Sequence, residues 1–187
     1  MIIQGSDSYT SPSFSNENRM MRLLWNIVWF FLFRPTPRAM HAWRKLLLIC
    51  FGAKLGKHVH IHGSTKIWAP WNLRIGNYVG IGEHVNIYCM DSINIGNYSV
   101  VSQGSHLCAG SHDFNTPNLQ LITAPIVIGS RVWICAESFI GPGVSIAEGS
   151  VVGARSVVTK SIIDPWLVWA GVPARQVGVR DKKRVLQ

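Results

Sequence analysis

The sequence predicts a mainly β protein: a parallel β-solenoid preceded by an N-terminal helical segment. Three observations carry this. From Leu55 onward an aliphatic residue recurs at every sixth position. Glycine often follows it, and a small or β-branched residue often stands four places after it. Before residue 53 the apolar residues instead follow the three-to-four spacing of helices.

Residues 1–19, MIIQGSDSYTSPSFSNENR, are rich in Ser and Asn and have little to bury, so they read as a mobile arm. Residues 20–33, MMRLLWNIVWFFLF, differ: from Leu23 to Phe33 only Asn26 is polar. As a helix this run spans about 21 Å, short of the roughly 30 Å of a bilayer core. Asp7 and Glu17 precede it and no small-residue cleavage site follows, which argues against a signal peptide. Arg22 and Arg34 flank the run, and Trp25 and Trp29 lie in it. Two readings stand open. One is a helix lying in a membrane interface with its basic ends near anionic headgroups; the other is a helix covering the main domain. Pro35 and Pro37 interrupt the chain. AMHAWRKLLLICFG (39–52) then reads as a second helix, with Met40, Trp43, Leu47 and Cys50 on one face and Gly52 as its cap. Residues 20–52 are thus a helical, partly membrane-interfacial segment.

Residues 53–175 carry the repeat: Leu55, Ile61, Ile67, Leu73; then Ile75, Ile81, Ile87, Ile93; then Ile95, Val101, Leu107; and finally Ile128 through Val158. A period of six fits neither a helix nor an ordinary alternating strand. It is the signature of stacked hexapeptides, each a short strand plus a corner, with the aliphatic side chain pointing inward. Glycine permits backbone conformations that a Cβ would obstruct, and the small residue leaves room beside the stack. The repeat stops just behind His112, and residues 113–125, DFNTPNLQLITAP, form a loop. Long loops in a compact solenoid are more often functional than accidental. Residues 176–187 read as a basic C-terminal tail.

With 48% hydrophobic and 14% charged residues, the composition supports a core and excludes a disordered chain. Lys and Arg outnumber Asp and Glu 18 to 9, a net +9 that suits a phosphorylated cofactor, an anionic lipid surface or nucleic acid. Nucleic acid is disfavoured, because the tryptophans cluster in the entry segment and at coil corners rather than among basic residues. Cys50, Cys89, Cys108 and Cys135 form no CxxC or zinc-finger spacing. They are expected as buried, reduced thiols in a reducing compartment, with no metal.

The run IGSRVWICAESFIGPGVSIAEGSVVGARSVVTK…AGVPAR resembles the C-terminal half of the hexapeptide-repeat acyltransferases. LCAGSHDF…LITAPIVIG and LLLICFGAKLGKHVHIHGSTKIWAPWNLRIG are more narrowly similar to the exopolysaccharide acetyltransferases of the colanic acid type. The resemblance covers roughly residues 20–180. It implies a left-handed parallel β-helix, a triangular prism, assembled as a homotrimer. Acetyl-CoA would lie in a groove between neighbouring prisms, and the loop would reach toward a neighbouring subunit.

By the same resemblance, His112 aligns with the catalytic histidine of galactoside and maltose acetyltransferases. A sugar hydroxyl is a poor nucleophile until a base takes its proton, and histidine suits that task. Backbone N–H groups would stabilise the oxyanion, with no covalent enzyme intermediate. Asp113 reads as a turn initiator. For the cofactor the family implies Trp133 and Ala154 along the pantetheine arm, with Thr159, Lys160 and Arg175 near the phosphates. The carry-over to Arg175 crosses a one-residue gap in SIIDPW. The asparagine that meets the acceptor in galactoside acetyltransferases aligns with Gly82, so the acceptor must be held differently; Glu83 and Asn86 are the nearby polar candidates.

The function read from these residues is acetyl-CoA-dependent O-acetylation of a sugar hydroxyl in surface polysaccharide synthesis. The acceptor would be a sugar or a lipid-linked oligosaccharide. The protein would be cytoplasmic, and peripheral on the inner membrane face if residues 20–34 meet lipid. Two other classes compete. Metal hydratases of the γ-carbonic-anhydrase type share the solenoid and use three histidines, and this chain has His58, His60, His62, His84, His106 and His112. Two of their ligands lie five residues apart on one chain, however, whereas His106 and His112 lie six apart. A non-catalytic trimeric scaffold would leave the break at His112 and the Lys160/Arg175 pair unexplained.

Overall fold

The computed structural model describes residues 13–186. It shows a three-faced parallel β-helix behind an N-terminal helical segment, the fold class expected. Residues 1–12 of the expected arm lie outside the described residues.

Helix α1 (Asn16–Val28) starts inside the expected arm, because the Ser15 side chain accepts from the Asn18 amide and Glu17 occupies the first turn. It runs on as a π-helical turn, Trp29–Phe33. The wider turn slows the rotation of the chain, so Trp25 and Phe33 both face the prism and are fully buried. The Trp25 indole donates to the Ile67 carbonyl at 2.7 Å and the Trp29 indole to the Thr65 carbonyl at 2.8 Å. One face of this segment therefore covers the first coil. The opposite face, with Leu23, Leu24, Ile27, Phe30, Phe31 and Leu32, is exposed.

Helix α2 (His41–Cys50) buries Arg44, Leu47 and Leu48. Met40, Trp43 and Cys50, expected on its buried face, are exposed. The face is rotated because the Arg44 guanidinium is drawn inward. It donates to the carbonyls of Ile61, Pro37 and Arg38 and to the Thr36 hydroxyl, at 2.7–2.9 Å. Those bonds tie down the Pro-rich connection that precedes the helix. Gly52, at φ +86°, closes α2. Its amide bonds to Ile49 O at 2.9 Å and that of Ala53 to Leu48 O at 3.0 Å, a pairing that left-handed glycine permits.

The predicted aliphatic ladders are the cores of the three faces. On the first, Leu55, Ile75, Ile95, Ile128 and Ile146 stand in register. On the second, Ile61, Ile81, Val101, Ile134 and Val152 do so. On the third the ladder is Ile67, Ile87, Leu107, Ile140 and Val158. Small residues at the corners are buried, and several hydroxyls bond to the next coil: Thr65 to Gly82 O, Ser105 to Cys135 O and Ser138 to Gly153 O.

The glycine after each aliphatic has a different cause from the one expected. Positive φ is carried further along the corner by His58, Tyr78, Tyr98 and Arg131, whose side chains stack upon one another. The glycines are required by close approach: a Cβ on Gly96 would lie 2.5 Å from the Ser130 amide nitrogen.

The C-terminal boundary also differs. Strand Ala174–Val179 pairs antiparallel with Leu167–Gly171 on the second face, so the prism extends past residue 175 and into the expected tail. The short helix Lys182–Val185 follows. All four cysteines are free; Cys89 is buried, Cys108 and Cys135 are half-buried, and Cys50 is exposed, against the expectation that all are buried.

Candidate active site

The break in the repeat is a β-hairpin. Gly110–His112 pairs antiparallel with Leu121–Thr123, setting His112 opposite Leu121. Part of the expected loop 113–125 thus folds back onto the strand that bears the histidine. His112 is exposed on the single chain, and its Nδ1 lies 2.6 Å from the Leu119 carbonyl oxygen. A carbonyl can only accept, so Nδ1 carries the hydrogen and Nε2 is left with its lone pair. Asp113 does not orient the imidazole. Its Oδ1 accepts from the Asn115 amide at 2.9 Å and its carbonyl from the Thr116 hydroxyl at 2.7 Å, so it initiates the turn.

At the far end of the third face, a cavity of about 350 Å³ is lined by Val158, Thr159, Lys160, Trp169, Ala174 and Arg175 among others. The structure therefore brings together Thr159, Lys160 and Arg175. The Lys160 side chain makes no hydrogen bond or ion pair among the described residues, and the Arg175 guanidinium donates to the Ala174 carbonyl, at 3.0 Å. The Trp169 indole N–H is buried without a partner. Two cations and an orphaned donor around one cavity suit a phosphate-bearing ligand.

Trp133 and Ala154 lie elsewhere. Trp133 is exposed on the second face, with its indole donating to the Ser102 hydroxyl at 3.0 Å; Ala154 is exposed in the turn after Val151–Val152. Glu83 and Asn86 are also apart. Glu83 Oε1 stands 3.1 Å from His62 Nε2. Asn86 belongs to the third face, with its side-chain nitrogen 3.3 Å from His106 Nε2. Burial pushes the His106 imidazole below its usual pKa. Among the described residues of the single chain no three His, Cys, Asp or Glu side chains are grouped to hold a metal ion.

Residues 125–160 match the model of the bacterial transferase hexapeptide (six repeats). The chain is 44% identical over 161 residues to an Escherichia coli K12 protein named for colanic acid biosynthesis acetyltransferase, WcaF, covering 86% of this chain and 88% of that one. The chain belongs to the hexapeptide-repeat acetyltransferase family. Galactoside O-acetyltransferase of E. coli K12 is 36% identical over 132 residues, covering 68% of this chain and 58% of that one. Among solved structures, a Vibrio cholerae hexapeptide-repeat acetyltransferase complexed with acetyl coenzyme A superposes with TM-score 0.80 at 25% identity, over 89% of this chain and 91% of that one. A maltose O-acetyltransferase from Clostridium difficile 630 shares the fold, with TM-score 0.82 at 22% identity over 90% of each chain.

Within this family framework, sequence reading missed a second polar cluster. Arg38 and His41 from the helical segment meet His60 and His62 of the second face around a cavity of about 280 Å³. The alternation HVHIHG shows in the sequence, but nothing in its spacing places Arg38 and His41 against it.

Proposed function

We propose that this protein transfers an acetyl group from acetyl-CoA to a sugar hydroxyl in exopolysaccharide synthesis, with His112 as general base. The observation that carries the reading is the His112–Leu119 hydrogen bond, which fixes the tautomer and leaves Nε2 to take the hydroxyl proton. Acetyl-CoA supplies an activated thioester. The sugar oxygen bonds to the acetyl carbon, the carbon–sulfur bond breaks, and the proton held at Nε2 passes to the departing sulfur. Lys160 and Arg175 would bind the phosphates of the cofactor, with Thr159 beside them, and Trp133 and Ala154 would flank its arm. Because these two sets lie apart on one chain, we place the complete site between neighbouring copies in a homotrimer. Glu83, held by His62, and Asn86, held by His106, would be the acceptor contacts.

No helix among the described residues is long and apolar enough to cross a membrane. A cytoplasmic enzyme resting on the inner leaflet fits the exposed apolar face of the helical segment. Between residues 13 and 57 that segment carries eight Lys or Arg and one acidic residue, Glu17, a charge complementary to anionic lipid. A lipid-linked oligosaccharide would then be within reach.

The experiment is a free-thiol release assay with acetyl-CoA across candidate glycans. Native protein should release thiol in a glycan-dependent manner and His112→Ala should not; equal rates would overturn the role of His112. Co-sedimentation with anionic vesicles, lost in a Phe30→Ser/Phe31→Ser variant, tests the membrane contact. A change of oligomeric state in that variant with unaltered sedimentation would assign the face to a second copy instead.

A further inference from the structure

We propose that the cavity between the helical segment and the second face binds a phosphoryl group, and that the acceptor is therefore a phosphate-linked sugar. Six of the side chains lining it are polar: Arg38, His41, His60, His62, Ser102 and Gln103. No carboxylate lines it, and Glu83 beside it is already engaged with His62. The side chains of Arg38 and His60 make no hydrogen bond or ion pair among the described residues, and the His60 ring stacks on His41 at 4.5 Å.

Behind the cavity stands Arg44, fully buried. Every partner it has is neutral: three carbonyls, the Thr36 hydroxyl, and His41 Nδ1 at 2.9 Å. His41 Nδ1 lies between this guanidinium, at 2.9 Å, and the Ile61 carbonyl oxygen, at 3.2 Å, so the imidazole is held against the buried cation. A buried cation without a counter-charge leaves positive potential around it. An anion in the cavity is the counter-charge the fold does not itself supply. Donors from two separate elements, a guanidinium and several imidazoles, match the three oxygens of a phosphoryl group better than the two of a carboxylate.

The word acceptor rests on the acetyl-transfer reading above; the anion site does not. Two sources share the chemistry, a nucleoside-diphosphate sugar and a lipid-diphosphate sugar, and coenzyme A also carries phosphates.

The test begins with calorimetric titration of the full chain with inorganic pyrophosphate. Binding should weaken at least tenfold in Arg38→Ala and in His60→Ala, recover in part in Arg38→Lys, and stay unchanged in Lys66→Ala, an exposed cation on another face. Saturating coenzyme A should not displace pyrophosphate. In turnover, Arg38→Ala should raise KM at least tenfold for a diphosphate-linked glycan and leave the same glycan without phosphate unaltered. The diphosphate glycan with the lower KM, nucleoside or lipid, identifies the source. Absence of pyrophosphate binding, or equal binding by Arg38→Ala, overturns the site. Displacement by coenzyme A overturns its assignment to the acceptor, as does an equal KM rise for the unphosphorylated glycan. If His112→Ala retains full turnover while pyrophosphate binding still depends on Arg38, the general-base reading fails and the anion site stands.

Discussion

Nδ1 of His112 and the carbonyl oxygen of Leu119 stand 2.6 Å apart across the turn of the hairpin. Leu119 reaches that position at φ +48°, a left-handed backbone that a leucine adopts only at a cost. Its amide donates to the Thr116 carbonyl, and the Thr116 hydroxyl donates to Asp113, so a short network built on the turn aims one backbone oxygen at the imidazole.

Leu119→Gly removes the strain and keeps the carbonyl, so acetyl transfer should stay within a few-fold of native. Leu119→Pro cannot adopt the positive φ and loses the amide. It should lower kcat at least tenfold with acetyl-CoA binding retained. His112→Ala should cost on the order of a hundredfold or more. Steady-state thiol release, with binding of the cofactor measured separately, checks all three. Equal kcat for the glycine and proline variants would refute the positioning role of Leu119.

Lys160→Ala and Arg175→Ala should each raise the KM for acetyl-CoA about tenfold, the scale of one charge-assisted hydrogen bond. kcat at saturating cofactor should hardly change. A fall in kcat with constant KM would move these residues away from the phosphates.

Gly96→Ala and Gly80→Ala form a matched pair. A Cβ at Gly96 meets the Ser130 amide at 2.5 Å, whereas at Gly80 nothing lies within 4 Å. The first should destabilise by about 2 kcal/mol or more; the second should be neutral or slightly stabilising. Chemical denaturation of the two variants reads the difference directly.

Burial pushes the Cys89 thiol from 9.0 up to about 11. Its sulfur also donates to the Ala69 carbonyl, at 3.1 Å. The unfolded thiol ionises first, so the contribution to stability is full below pH 9 and is lost as pH rises toward the folded value. The loss should be on the order of 3 kcal/mol. The pH dependence of denaturation between 8 and 11 should be shallower in Cys89→Ala. In native protein, thiol reagents should modify the exposed Cys50 and spare Cys89.

The legibility of the chain was uneven for physical reasons. Leu55, Ile75 and Ile95 were placed correctly because burial at a fixed period survives in the sequence as a pattern. The buried face of α2 was not, since Arg44 is apolar by no scale and is buried only because the carbonyls of Pro37, Arg38 and Ile61 converge on it. His112 entered through family resemblance joined to the break in the repeat. Nothing near it in sequence pointed to Leu119 rather than Asp113 as its partner.

The order of side chains alone determined the coil, its register and the place where the coil is interrupted, because each aliphatic residue stacks on a counterpart a fixed number of residues away. Tertiary structure alone decided the tautomer of His112, the separation of Trp133 from Lys160, and the meeting of Arg38 and His41 with His60 and His62. Those relations depend on where backbone carbonyls and distant segments come to rest in space, and a carbonyl leaves no mark in the identity of its own side chain.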